Sequence, residues 1–249
     1  MINQLTFLED KKTREIFEEA IPCIPPDCEV YLVSGSVRNS LYYHFFWTKL
    51  PQRDFDAVVI WNSKKFVDNL KSAWWEDSWR IIKTNWIILY KVKKWANNRQ
   101  NFNDCVYLDL IFSDPEQTIL ENLENHANFT INGWAINLKN IFSDDWLDRI
   151  IILPMTIEDI KNKQLKLNDP DDSFGIFACM RFISQWFKKP SEEEIELMIR
   201  ALKNTKKDRF ERNISKLYNY VWGEKKARDI LKKLWIEKDI FNYETATSS

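Results

Sequence analysis

The chain has 249 residues, 45% of them hydrophobic and 29% charged, with a formal net charge of -1. That is enough apolar material for one large domain or two small ones, and the near-neutral balance excludes a globally basic nucleic-acid binder, so any such contact must use a local patch. Two histidines and four cysteines (Cys23, Cys28, Cys105, Cys179) without a CxxC pair argue against zinc and against a disulfide framework.

The opening run MINQLTFLEDKK lacks the apolar stretch of a signal peptide, and no apolar run approaches membrane-spanning length, so a cytoplasmic protein is expected. Residues 10–21 have helical spacing, with Ile16, Phe17 and Ile21 on one side, and Pro22, Pro25 and Pro26 stop the helix. EVYLVSG reads as a strand entering a turn and the segment from Val37 as a helix, which puts Ser34, Gly35 and Ser36 at a strand-to-helix junction. DAVVIW is a second strand and KKFVDNLKSAW a helix. RIIKTNWIILYKV reads as a hairpin around Thr84 and Asn85, and CVYLDLIF as a further strand. A mixed αβ sheet domain is expected over residues 1–169.

From Pro170 onward strand-like runs vanish. Ser191 followed by Glu194 is a capping box opening a helix with Ile195, Met198, Ile199 and Leu202 on one face. KKDRFERNISKLYNYV and EKKARDILKKL give two further amphipathic helices, so residues 170–249 are expected to form a small helical domain. Its basic residues, Lys203, Lys206, Lys207, Arg209, Arg212 and Lys216, fit either a solvated face or a phosphate-contacting patch.

The chemistry concentrates in RDFDAVVIW. Side chains alternate along a strand, so Asp54 and Asp56 point the same way while Phe55 packs beneath. Two carboxylates aimed at one point repel unless a cation lies between them, and magnesium is held by one or two carboxylates plus substrate phosphates. Asp109 in VYLDLIF is the candidate third carboxylate. SGSVRN places small residues and backbone N–H groups at a helix start, where a triphosphate can approach, with Arg38 one turn in.

The order of these pieces resembles the polymerase-β superfamily, specifically class II CCA-adding enzymes and bacterial poly(A) polymerases. LVSGSVRN…KLPQRDFD stands where that family has LVGGxVRDxLLG…P.DxD. ENLENHANFTINGWAINL is similar to its eDLxxRRDFTINAxAxxL, and DDSFGIFACMRFISQW to its DPxRxLRxxRFxxxLG. The resemblance covers about residues 29–238. It implies an α+β fold with a nucleotidyltransferase head, its mixed sheet mainly antiparallel and flanked by helices, followed by an all-α neck without the family's body and tail.

It further implies a template-independent nucleotidyltransferase that adds CCA or A to an RNA 3′ end, with tRNA the favoured RNA, from ATP or CTP with magnesium. Asp54 and Asp56 would hold the metal, with Asp109 as the third catalytic carboxylate. Ser34, Gly35, Ser36 and Arg38 would face the triphosphate, and Asn132 and Arg181 match positions lining the nucleotide pocket. Several positions depart from the pattern. The family's RRD is His126, Ala127 and Asn128 here, and two arginines of its DPxRxLR run fall at Gly175 and Ala178. The loop from Asn39 to Arg53 is longer than in the family, and no EDxxR run is found. Losing charge-assisted hydrogen bonds from a triphosphate cleft weakens it, so the alternative is a non-catalytic nucleotide- or RNA-binding relative.

One count is abnormal. There are 4 glycines and 12 tryptophans, where ordinary usage of about 7% would give roughly seventeen glycines. Trp47, Trp186 and Trp235 fall at glycines of the family pattern, Trp61 at a strand-to-helix turn, and Trp74 and Trp75 after a helix, where a left-handed cap is expected. A gene from an organism that reads UGA as glycine, translated with UGA as tryptophan, would produce both anomalies together.

Overall fold

The computed structural model describes residues 4–50, 54–77, 86–92, 105–172, 174–204, 207–221 and 223–234. They fall into two compact units, one of residues 1–125 and 132–153, the other of residues 126–131 and 154–249.

The first unit is a seven-stranded sheet flanked by helices. Its strands are β1 (Glu29–Val33), β2 (Phe55–Ile60), β3 (Glu76–Asp77), β4 (Trp86–Val92), β5 (Cys105–Phe112), β6 (Trp134–Asn137) and β7 (Ile150–Ile152), in the order β3-β4-β5-β2-β1-β6-β7. Among the described residues only the β2–β5 pair is parallel; the other pairs are antiparallel. The central strands carry near-continuous apolar runs because both sheet faces are covered: Leu32, Ala57, Val59, Leu108 and Leu110 are fully buried. The turn expected at Thr84 and Asn85 lies outside the described residues, although β3 and β4 on either side of it pair antiparallel.

Helix α1 (Lys11–Ala20) starts at Asp10, whose carboxylate accepts hydrogen bonds from the Lys12 backbone N–H at 3.2 Å and the Thr13 hydroxyl at 2.7 Å. Phe17 of this helix, Phe7 and Phe55 of β2 form an aromatic triplet, with ring centroids 4.9 to 5.5 Å apart. Helices α2 (Gly35–Phe46), α3 (Ser63–Ser72) and α4 (Ile119–His126) are the other described α-helices up to residue 126.

The second unit contains α5 (Thr156–Asn162), α6 (Gly175–Ser184), α7 (Glu192–Lys203), α8 (Lys207–Tyr220) and α9 (Glu224–Lys233). The capping box forms as the sequence predicts: Ser191 Oγ accepts from the Glu194 N–H at 3.3 Å, and Glu194 Oε2 from the Ser191 N–H at 2.9 Å. Ile195, Met198 and Leu202 of α7 are buried.

The boundary drawn at residues 169 and 170 from sequence lies inside this unit. Residues 126–131 pair with the segment before it, through a bridge between Phe129 and Leu167 and a Thr130 N–H bond to the Lys166 carbonyl at 3.0 Å. Among the described residues no helix is long and apolar enough to cross a membrane.

Candidate functional site

The parallel pairing of β2 with β5 sets Asp56 directly opposite Asp109. The same transverse row continues to Val33 of β1 on one side and Ile88 of β4 on the other. Neighbouring strands are about 4.8 Å apart and in-register side chains share a face, so these two carboxylates stand side by side. Asp54 lies two residues before Asp56 and Phe55 between them turns the other way, into the aromatic triplet. Asp109 is buried at 6% exposure, whereas Asp54 and Asp56 are half-buried.

Val33, in the Asp56 row, ends β1, and the chain turns at once into α2. Ser34 makes that turn with φ 60°, a conformation uncommon for a residue with a side chain. Gly35 and Ser36 are the first two residues of α2, two earlier than the helix start read at Val37, and Ser36 is buried with its hydroxyl toward the Val33 carbonyl at 3.4 Å. A side-chain carbon added at Gly35 would have the Arg38 guanidinium as its nearest neighbour, at 3.7 Å.

Arg38 is 3% exposed. Its Nη1 donates to Asn132 Oδ1 at 2.7 Å and its Nη2 to Asn39 Oδ1 at 2.8 Å. Arg38, expected to face the triphosphate, and Asn132, expected to line the nucleotide pocket, therefore touch each other, and the guanidinium holds Asn132 against the first turns of α2. Asn39, which sequence reasoning passed over, completes this arrangement. Its only signal was that VRN replaces the VRD of the resembling family.

Gly133, next to Asn132, is closely packed: a β-carbon there would lie 2.6 Å from Leu153 Cδ1 and 2.9 Å from Cγ. Its carbonyl also accepts the Leu153 N–H at 2.7 Å. Gly133→Ala is expected to cost about 1–3 kcal/mol, as overpacking does. Urea unfolding measures it, and an unchanged midpoint would show that Leu153 yields freely.

In the second unit, the half-buried Arg181 sits on α6 with its guanidinium 4.8 Å above the Phe182 ring. Gly175 and Ala178, which stand where the resembling family has arginines, are buried, and a β-carbon at Gly175 would already lie 3.3 Å from Met198 Cγ. Cys179 is fully buried, which pushes its thiol well above the usual range and makes it a packing group rather than a nucleophile. Asp159, 2% exposed in α5, accepts the Thr130 hydroxyl at 2.7 Å with Lys166 Nζ at 3.8 Å. It fixes the FTIN segment from a distance in sequence that no motif announced.

Among the described residues no three acidic, histidine or cysteine side chains gather tightly enough to hold an ion by themselves. Magnesium ordinarily takes one or two carboxylates and fills its remaining positions with water and substrate phosphate. The in-register pair Asp56 and Asp109 offers carboxylate oxygens in the number that such a site takes.

Solved structures similar to this chain include CCA-adding and other tRNA-processing enzymes. The Thermotoga maritima CCA-adding enzyme complexed with tRNA matches with a TM-score of 0.61 at 18% identity, over 92% of this chain and 52% of that one. The fold is shared with CCA-adding enzymes. A CCA-adding enzyme in complex with ATP matches at 0.62 and 18% identity over 94% and 52% of the two chains. A tRNA nucleotidyltransferase with a primer tRNA and an incoming ATP analogue matches at 0.57 and 20%, over 86% and 59%. The chain thus spans about half the length of the first two. No family model and no curated protein sequence matches it.

Proposed function

We propose that this chain is a template-independent nucleotidyltransferase that adds C, A or both to an RNA 3′ end, with tRNA as the favoured substrate. The observation that carries the reading is the in-register pair Asp56 and Asp109, beside the turn from β1 into α2, in a fold shared with CCA-adding enzymes. Asp54, Asp56 and Asp109 would hold magnesium, which when bound activates the attacking hydroxyl and offsets charge on the phosphate oxygens. The N–H groups of the first turn of α2 are unpaired within the helix by its geometry and favour an anion. They would orient the triphosphate while the primer 3′-hydroxyl attacks the α-phosphate and pyrophosphate leaves. Arg38 would act by fixing Asn132 rather than by reaching the phosphates.

A second reading, a nucleotide- or RNA-binding relative without turnover, is favoured by the buried Ala127, Gly175 and Ala178, which offer no charge where the resembling family has arginine. The deciding measurement follows labelled ATP and CTP into tRNA lacking its 3′ end. Incorporation of either nucleotide is expected. Retention of the RNA without incorporation would replace the first reading by the second.

A further inference from the structure

Eight described residues other than glycine have positive φ, and four of them are tryptophan, a residue that supplies 12 of 249 positions: Trp47 (55°), Trp61 (66°), Trp74 (67°) and Trp186 (77°). All four indoles are exposed, at 68%, 58%, 85% and 73%. The other tryptophans whose side chains are described, Trp75, Trp134 and Trp146, are at most 2% exposed and none has positive φ. Tryptophan here divides into two classes, and backbone conformation separates them.

The hydrogen bonds around three of the four are those of glycine caps. After α3 the Trp75 N–H bonds to the Leu70 carbonyl at 3.1 Å and the Trp74 N–H to that of Lys71 at 3.1 Å. After α6 the Phe187 N–H bonds to the Phe182 carbonyl at 3.1 Å and the Trp186 N–H to that of Ile183 at 3.2 Å. Both are Schellman motifs with tryptophan at the left-handed position, where glycine is usual. Trp47 ends α2 with one N–H bond to the Tyr43 carbonyl at 2.8 Å, the simpler left-handed cap. Trp61 joins β2 to α3 and is followed by Asn62, also left-handed. The remaining positive-φ residues are Ser34, Asn62, Met155 and Lys163; asparagine is enriched in this region, bulky side chains are not.

We propose that positions 47, 61, 74 and 186 are glycine in the polypeptide made by the source cell, their codons being UGA read as glycine. The inference stands independently of the proposed activity. An exposed aromatic set could instead be a platform for stacking nucleic-acid bases. Stacking asks for an exposed ring, however, and explains neither the left-handed backbone at all four positions nor the cap hydrogen bonds at three.

Peptide mass spectrometry of the protein isolated from its own cells reads the four residues directly. Glycine is expected at each; tryptophan would overturn the proposal and leave the stacking platform in its place. A second route needs only recombinant protein. Each of Trp47→Gly, Trp61→Gly, Trp74→Gly and Trp186→Gly is expected to raise Tm by about 2–4 °C, whereas Trp134→Gly, which empties a fully buried site, must lower it. A fall in Tm for the four exposed replacements would show that the backbone is not built for glycine there.

Discussion

Asp56→Ala is expected to reduce nucleotide incorporation by more than about a hundredfold while leaving the thermal midpoint unchanged or higher. The magnitude follows from the place of the side chain: even groups that merely orient a metal ligand cost roughly 10- to 100-fold when removed, and Asp56 would be a ligand itself. The stability half follows from electrostatics. Asp56 and Asp109 share a sheet face in register, so without a bound cation their like charges oppose folding. Asp54→Ala and Asp109→Asn are expected to behave alike. Incorporation assays beside thermal melts, each with and without magnesium, check both halves. A variant that keeps more than half of its activity would remove Asp56 from the metal site, whatever becomes of the fold.

Phe55→Ala is expected to act in the opposite manner, through stability. The ring is 4% exposed and packs edge-on against both Phe7 and Phe17. Emptying such a site typically costs about 3–5 kcal/mol, or a fall in Tm of about 2–4 °C for each kcal/mol in a chain of this size. Because Phe55 lies between the two aspartates, it also fixes the height and direction of the strand that presents them. Phe55→Leu, which keeps most of the buried volume, should recover most of the stability. Denaturant unfolding of both variants checks this, and a loss below about 1 kcal/mol for Phe55→Ala would mean that the triplet does not anchor β2.

Local chemistry was legible in the sequence. CVYLDLIF became β5 with the same bounds, the capping box at Ser191 opened α7, and Pro22 marked the end of α1. These features depend on residues close together in the chain, where spacing carries the signal. The short strands β6 and β7, of four and three residues, escaped because alternation cannot be recognised over so few positions. The pairing of residues 126–131 with the segment around Leu167 escaped for another reason: a backbone hydrogen bond leaves no trace in side-chain pattern. For the candidate site, the sequence singled out the carboxylates and the small residues after β1. It did not show that Arg38 would spend its guanidinium on Asn132 and Asn39, since burial of a charge depends on partners distant along the chain.

The parallel seam between β2 and β5 has a kinetic implication. Asp56 and Asp109 are separated in sequence by α3, β3 and β4, so their alignment requires closure of a long loop, which costs entropy before any contact repays it. A carboxylate pair assembled in this way cannot exist in a nascent or partly unfolded chain. Any metal affinity that depends on this pair would therefore arise only with completion of the central sheet, after folding has been decided.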